Sequence, residues 1–278
     1  MVRPSFVASL VTAWLLSACG GAEPVGRATS RHGDPLFTGS VDEATFASFH
    51  AHGGEARGPY FGQEVRVGEA SFYQALPRSE GPHPGVIVIH EWWGLNGHIR
   101  HWTDRLAALG YAALAVDLYG GETATTPDEA IALVRSVDDA GALATLRAAA
   151  AHLRGAGATK LGVMGWCFGG GWSLRTGVEV EGIDATVMYY GRPITEVEAL
   201  GSFRGPLLGI FGNEDESIPP ETVDGFGEML AQAGVDHRLL RYDASHAFAN
   251  PSSARYDATS AEAAWAEVQS FFARHLAE

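Results

Sequence analysis

From residue 85 onward, six short continuous apolar runs alternate with helix-like stretches, and this constrains the fold more than any other feature. The runs are "GVIVIH", "YAALAVDLY", "LGVMGW", "ATVMYYG", "PLLGIFG" and "HRLLRYD". A strand covered on both faces is apolar at nearly every position, not every second one. Between the runs lie "HIRHWTDRLAALG", "TPDEAIALVR", "DAGALATLRAAAAHLR", a segment after Cys167, and "ETVDGFGEMLAQAG"; "SAEAAWAEVQSFFARHL" closes the chain. Alternating β and α elements predict an α/β fold: a mostly parallel twisted sheet with helices on both faces. Upstream, "EVRV" and "ASFYQAL" alternate polar and apolar residues and predict a hairpin. With 46% hydrophobic residues in a chain of 278, there is material for one large core.

Ligands of such sheets sit beyond the carboxyl ends of the strands. The residues that follow the runs therefore carry the functional reading. They are "HEWWGLNG", "DLYGG", "WCFGGG", "GNEDESIPP" and "DASHAFANP". "GWCFG" has the form Gly-x-nucleophile-x-Gly, set between a strand and a helix. That turn is so tight that its neighbours must be small, and it lifts the nucleophile clear of the sheet. Here a cysteine, Cys167, stands at the centre. A helix starting after it points its positive end at the sulfur and favours a thiolate. Asp215 and His246 follow in the order nucleophile, acid, histidine, each at the end of a later run. Each residue taken alone has a plainer reading. Cys167 could be a small core residue, Asp215 a turn residue with Glu214 and Glu216 as rivals, and His246 a cap.

Residues 64 to the end resemble the dienelactone hydrolase family, within the α/β-hydrolase superfamily. The resemblance rests on "HEWWGLN", "DLYGG", "GWCFGGG", "GNEDESIP" and "SHAFAN", and on spacings of 48 residues from Cys167 to Asp215 and 31 from Asp215 to His246. It implies a hydrolase of small esters or lactones with Cys167 as nucleophile, His246 as base and Asp215 as its orienting acid. It further implies an oxyanion hole from the backbone N–H groups of Trp92 and Phe168, and a Glu91 that sits near the thiol and keeps it protonated at rest. No cofactor is implied. Two arginines that bind the substrate carboxylate in well-known members are missing, with Gly121 and Asn250 in their places. Arg135, Arg192 and Arg255 are candidate substitutes. Trp92, Trp93, Tyr119, Tyr190 and Asn250 are candidates for the pocket lining.

The N-terminus reads differently. "MVRPSFVASLVTAWLLSAC" has an early arginine, an apolar stretch and small residues, the outline of a secretory signal. Its end, "LSAC", resembles a bacterial lipobox, which implies cleavage before Cys19 and lipidation of that thiol. Residues 1–18 are then the signal, 19–62 an anchored tether with a short extension, and 63–278 the catalytic domain. Expected locations are the periplasmic or outer-membrane side of the cell envelope. Gly20, where an aspartate is associated with inner-membrane retention, points toward the outer membrane. Within 41–52, "VDEATFASFHAH" predicts a short amphipathic helix with Val41, Phe46 and Phe49 on one side. A net charge of -14 without basic clusters argues against a nucleic-acid partner. Three rival readings stay open: a zinc site using His90, His98 and His101, a surface-anchored binding domain on an inactive hydrolase scaffold, and the same catalysis on an amide or thioester bond.

Overall fold

The structure, a computed structural model, describes residues 41–50, 56 and 58–277. Cys19 and the signal and tether readings lie outside the described residues. Eight strands form one sheet in the order β1-β2-β4-β3-β5-β6-β7-β8. They are β1 (Gln63–Val67), β2 (Ala70–Ala75), β3 (Gly85–Ile89), β4 (Ala112–Val116), β5 (Leu161–Trp166), β6 (Ala185–Tyr189), β7 (Leu207–Gly212) and β8 (His237–Tyr242). β1 and β2 form the expected antiparallel hairpin, and β2 joins β4 antiparallel. From β4 onward every pairing is parallel. This is the α/β-hydrolase architecture.

The helices are α1 (Glu43–Ser48), α2 (Gly97–Ala108), α3 (Pro127–Ser136), α4 (Asp139–Gly155), α5 (Phe168–Glu179), α6 (Val197–Leu200), α7 (Pro220–Gln232) and α8 (Ala258–His275). The central strands feed both faces of the sheet. Val86 and Val88 of β3 pack with Ile99, Trp102 and Leu106 of α2 and Trp265 and Val268 of α8. Their neighbours Ile87 and Ile89 pack with Leu143, Leu146 and Leu153 of α4 and Trp172 of α5. The period-2 alternation of a strand is therefore present but hidden, because both faces are apolar. α7 closes the far end, with Val223, Phe226 and Leu230 against Leu207 and Phe211.

Three features differ from the sequence expectation. β8 is not buried on both faces. It is an edge strand, and Arg238 and Arg241 reach out to Glu267 and Asp224. Charged residues on an exposed edge limit further strand pairing. α6, a four-residue turn, had no signal in the sequence. The helix expected within 41–52 covers Glu43–Ser48 and is part of the core, a role its sequence does not reveal. Val41 and Phe46 are buried with Trp102 and Trp265. Glu43 pairs with Arg105 at 3.1 Å, and both side chains are almost fully enclosed. Arg105 also donates to the Val41 carbonyl at 3.2 Å, and Tyr256 donates to Glu43 at 2.8 Å. The guanidinium lies 4.1 Å from the Phe46 ring centre and 4.6 Å from that of Trp265. Among the described residues, no helix is long and apolar enough to cross a membrane.

Candidate active site

The turn at Cys167 explains the glycines around it. Cys167 has φ 53° and ψ -114°, a backbone state that L-residues avoid, and it caps the start of α5. Gly169 lies against β3. A Cβ there would collide with the backbone oxygens of Ile89 and His90. Gly165, on the preceding strand, meets the Gly169 carbonyl in the same way. The two glycines let β5, α5 and β3 crowd together, and the sharp turn pushes the cysteine out of the sheet. Among the described residues, Cys167, Tyr190 and Ala247 are the non-glycine residues with positive φ, and all three line one cavity. Strain of this kind concentrates where function over-determines the backbone.

Cys167, His246 and Asp215 come together at the carboxyl ends of β5, β8 and β7. His246 Nδ1 donates to Asp215 Oδ2 at 2.6 Å, and Cys167 lies close enough to the same imidazole to raise its pKa. Asp215 Oδ1 accepts from the backbone N–H groups of Ser217 (2.8 Å) and Ile218 (3.0 Å). Burial works against the Asp215 charge, but the bonds from His246, Ile218 and Ser217 outweigh it and hold the carboxyl below its ordinary range. Burial would also lower the His246 pKa, but Asp215 and Cys167 push it up to about 10. The rival acids Glu214 and Glu216 are exposed, whereas Asp215 is buried.

Glu91 is buried beside this set, and burial pushes its carboxyl up to about 7. The charge of His246 and the Asn250 amide limit the rise. Its hydrogen-bond partner is Asn250, whose Nδ2 donates at 2.5 Å. Asn250 is held in turn by the Ser252 backbone N–H (2.9 Å) and hydroxyl (2.7 Å). Asn250 therefore lines the cavity and also fixes Glu91, a link that spans 159 residues of sequence.

The cavity has a volume of about 1560 Å³. Trp92, Trp93, Phe168, Tyr190 and Asn250 line it, as do Arg192 and Arg255. Arg135 does not. Tyr119 was expected in the lining but is not part of it. Its ring packs behind the site, 4.6 Å from His90 and 5.5 Å from Phe168, and its hydroxyl donates to the Trp92 carbonyl at 3.3 Å. Tyr190 is 1% exposed, its ring is 5.0 Å from His246, and burial pushes its phenol well above the ordinary value.

Of the histidines of the zinc reading, His98 and His101 both pack against His50, with ring centres 4.8 Å and 5.4 Å away, and His90 lies apart from them. His90 bonds the Glu91 carbonyl and the Leu118 N–H, while His98 Nδ1 meets His50 Nδ1 at 2.9 Å. Among the described residues, no three His, Cys, Asp or Glu side chains are grouped as metal ligands.

Comparison with known proteins gives the family and the fold. The model of the dienelactone hydrolase family matches residues 71–276. A relative from Synechocystis sp., which carries the name "Putative carboxymethylenebutenolidase", is 34% identical over 229 residues, covering 73% of this chain and 91% of its own. A crystal structure from Klebsiella pneumoniae, titled as a "Putative Dienelactone Hydrolase", superposes with a TM-score of 0.72 at 30% identity, covering 78% of this chain and all of that one. A dienelactone-hydrolase-like promiscuous phosphotriesterase from metagenomic libraries gives a TM-score of 0.73 at 25% identity, covering 79% of this chain and all of that one. The matched segment runs from β2 to just past α8 and takes in each residue of the site, and the chain belongs to the dienelactone hydrolase family, with the α/β-hydrolase fold.

Proposed function

We propose that this hydrolase cleaves a carboxylic ester or lactone through a cysteinyl acyl-enzyme, with Cys167, His246 and Asp215 as its triad. The observation that carries the reading is the 2.6 Å hydrogen bond between His246 and Asp215, with Cys167 beside the same imidazole and both Cys167 and His246 lining one cavity. Asp215 engages Nδ1, so the other ring nitrogen is left for the sulfur. The thiolate of Cys167 attacks the carbonyl carbon, and the carbonyl electron pair moves onto oxygen. The N–H of Phe168, first residue of α5, has no acceptor within the helix and is free to meet that oxygen. The N–H of Trp92 is the second donor. The adduct collapses, the alkoxide leaves with a proton from His246, and a thioester remains on Cys167. His246 then takes a proton from water, and the hydroxide releases the acid.

Glu91 is placed to tune this cycle. With its carboxyl pushed up to about 7, it changes charge in the range where the reaction runs, next to the imidazole that carries the proton. The aromatic wall of Trp92, Trp93 and Tyr190 suits an apolar substrate group. A volume near 1560 Å³ leaves room for more than a single small lactone ring. The segment ending at Cys19 supports a further proposal, that the mature chain is lipid-anchored at the cell envelope.

The test is p-nitrophenyl acetate hydrolysis followed from the first seconds. Expected is a burst of nitrophenolate followed by steady turnover in the wild type, with both lost in Cys167→Ala. Equal turnover by the two proteins would overturn the reading.

A further inference from the structure

We infer that His90 is a positioning residue that sets the oxyanion hole by fixing the peptide unit between Glu91 and Trp92. The inference rests on the acyl-enzyme reading above and adds a residue that the reading does not use. His90 follows β3, is 0% exposed, and is the first residue of the "HEWWG" stretch.

Both ring nitrogens of His90 are engaged. The Leu118 backbone N–H donates to Nε2 at 3.2 Å, so that nitrogen carries no proton. Nδ1 meets the Glu91 carbonyl at 2.6 Å, and a carbonyl only accepts. The ring is therefore the neutral Nδ1–H tautomer. Burial favours the same state and holds the pKa down at about 4. The ring is also clamped, tilted against Tyr119 at 4.6 Å and stacked on Phe168 at 5.7 Å and 18°.

The consequence follows from peptide geometry. The Glu91 carbonyl and the Trp92 N–H belong to one planar trans unit and point in opposite directions. Holding the oxygen toward His90 aims the N–H the other way. The residue that carries it lines the cavity, as do Cys167 and Phe168. The Gly94 N–H also bonds the Glu91 carbonyl, at 3.2 Å, but the His90 contact is the shorter. His90 thus ties one proposed donor, Trp92 N–H, to β4 through Leu118 and to the other donor's residue, Phe168, by stacking. A hole assembled before the substrate arrives needs no reorganisation during reaction.

Two reactions of the same sulfur separate this role from a general structural one. Alkylation by iodoacetamide needs the thiolate but places no charge on a carbonyl oxygen. Acylation by p-nitrophenyl acetate needs both. In His90→Leu the burst rate constant is expected to fall ~10- to 100-fold, up to the scale of losing one oxyanion donor. Alkylation of Cys167 should stay within about twofold, a range too small to reflect a loss comparable to one oxyanion donor. His90→Gln, which can donate to the carbonyl and accept from Leu118, should restore most of the acylation rate. Unchanged acylation in a folded His90→Leu protein, or a parallel fall in both reactions, would overturn the inference. Failure of the acyl-enzyme reading itself looks different: no Cys167-dependent burst in the wild type. Should His90→Leu not fold, the wild type still decides. Long-range 15N–1H spectra are expected to show His90 as the neutral Nδ1–H tautomer at pH 7, and an Nε2–H or charged ring would overturn the proposal.

Discussion

At the residue scale, the site is a set of opposed electrostatic demands. His246 sits in a half-closed pocket that would by itself disfavour its charge, yet Asp215 and Cys167 push it up to about 10. Its folded pKa lies above the ordinary 6.5, so the protonated imidazole stabilises the fold in full below about pH 6.5. That contribution is lost as pH rises toward about 10. Glu91 acts in a separate window: raised from 4.5 to about 7, it takes stability away as pH climbs between those values. Cys167→Ala removes one of the influences that raise His246. The imidazole is expected to titrate lower in that variant by NMR, and unfolding free energy should decline less between pH 6.5 and 10. An identical titration in both proteins would show that the sulfur does not act on His246. Cys167, Asp215 and His246 were legible in the sequence because each lies in a short local motif at a strand end. The Glu91–Asn250 bond was not, because its partners meet only through the tertiary fold.

At the element scale, α5 decides where Cys167 and the Phe168 N–H stand. The helix seats against β3 through Gly169, with no room for a side chain against the Ile89 and His90 oxygens. Gly169→Ala must push α5 away from β3. Overpacking of this kind costs about 1–3 kcal/mol, and the same shift separates Phe168 and Trp92, the proposed oxyanion donors. The expected outcome is a lower urea midpoint together with a slower burst. A normal burst in a destabilised variant would detach the hole geometry from this packing. The periodicity of the runs placed the strands to within three residues, because period and length are local signals. Edge position is not local. "HRLLRYD" reads like its neighbours, but among the described residues nothing pairs beyond β8, and its arginines reach for surface carboxylates. Tyr119 failed as a pocket residue for a related reason: sequence places it at a strand end but does not say which way its ring turns.

At the scale of the whole molecule, the segment around α1 belongs to the hydrolase body. The family match begins only at residue 71, yet Glu43 neutralises Arg105 inside the core, and Phe46 fills space beside Trp102 and Trp265. The amphipathic pattern of 41–52 announced a helix but not its partners, which come from α2 and α8, far along the chain. Glu43→Ala leaves the Arg105 charge buried without its carboxylate, a loss of about 3–5 kcal/mol. Chemical denaturation should show that loss, whereas a change below about 1 kcal/mol, the scale of a surface pair, would make the segment a loose extension.

The claim on which the rest depends is that Cys167 carries the acyl group. The most direct measurement is to quench the wild-type protein in acid during p-nitrophenyl acetate turnover and map its peptides by mass. An acetyl group on the peptide containing Cys167, chased away when hydrolysis proceeds and absent from Cys167→Ala, is the result expected. Sustained, Cys167-independent turnover with an unmodified Cys167 peptide would contradict the account.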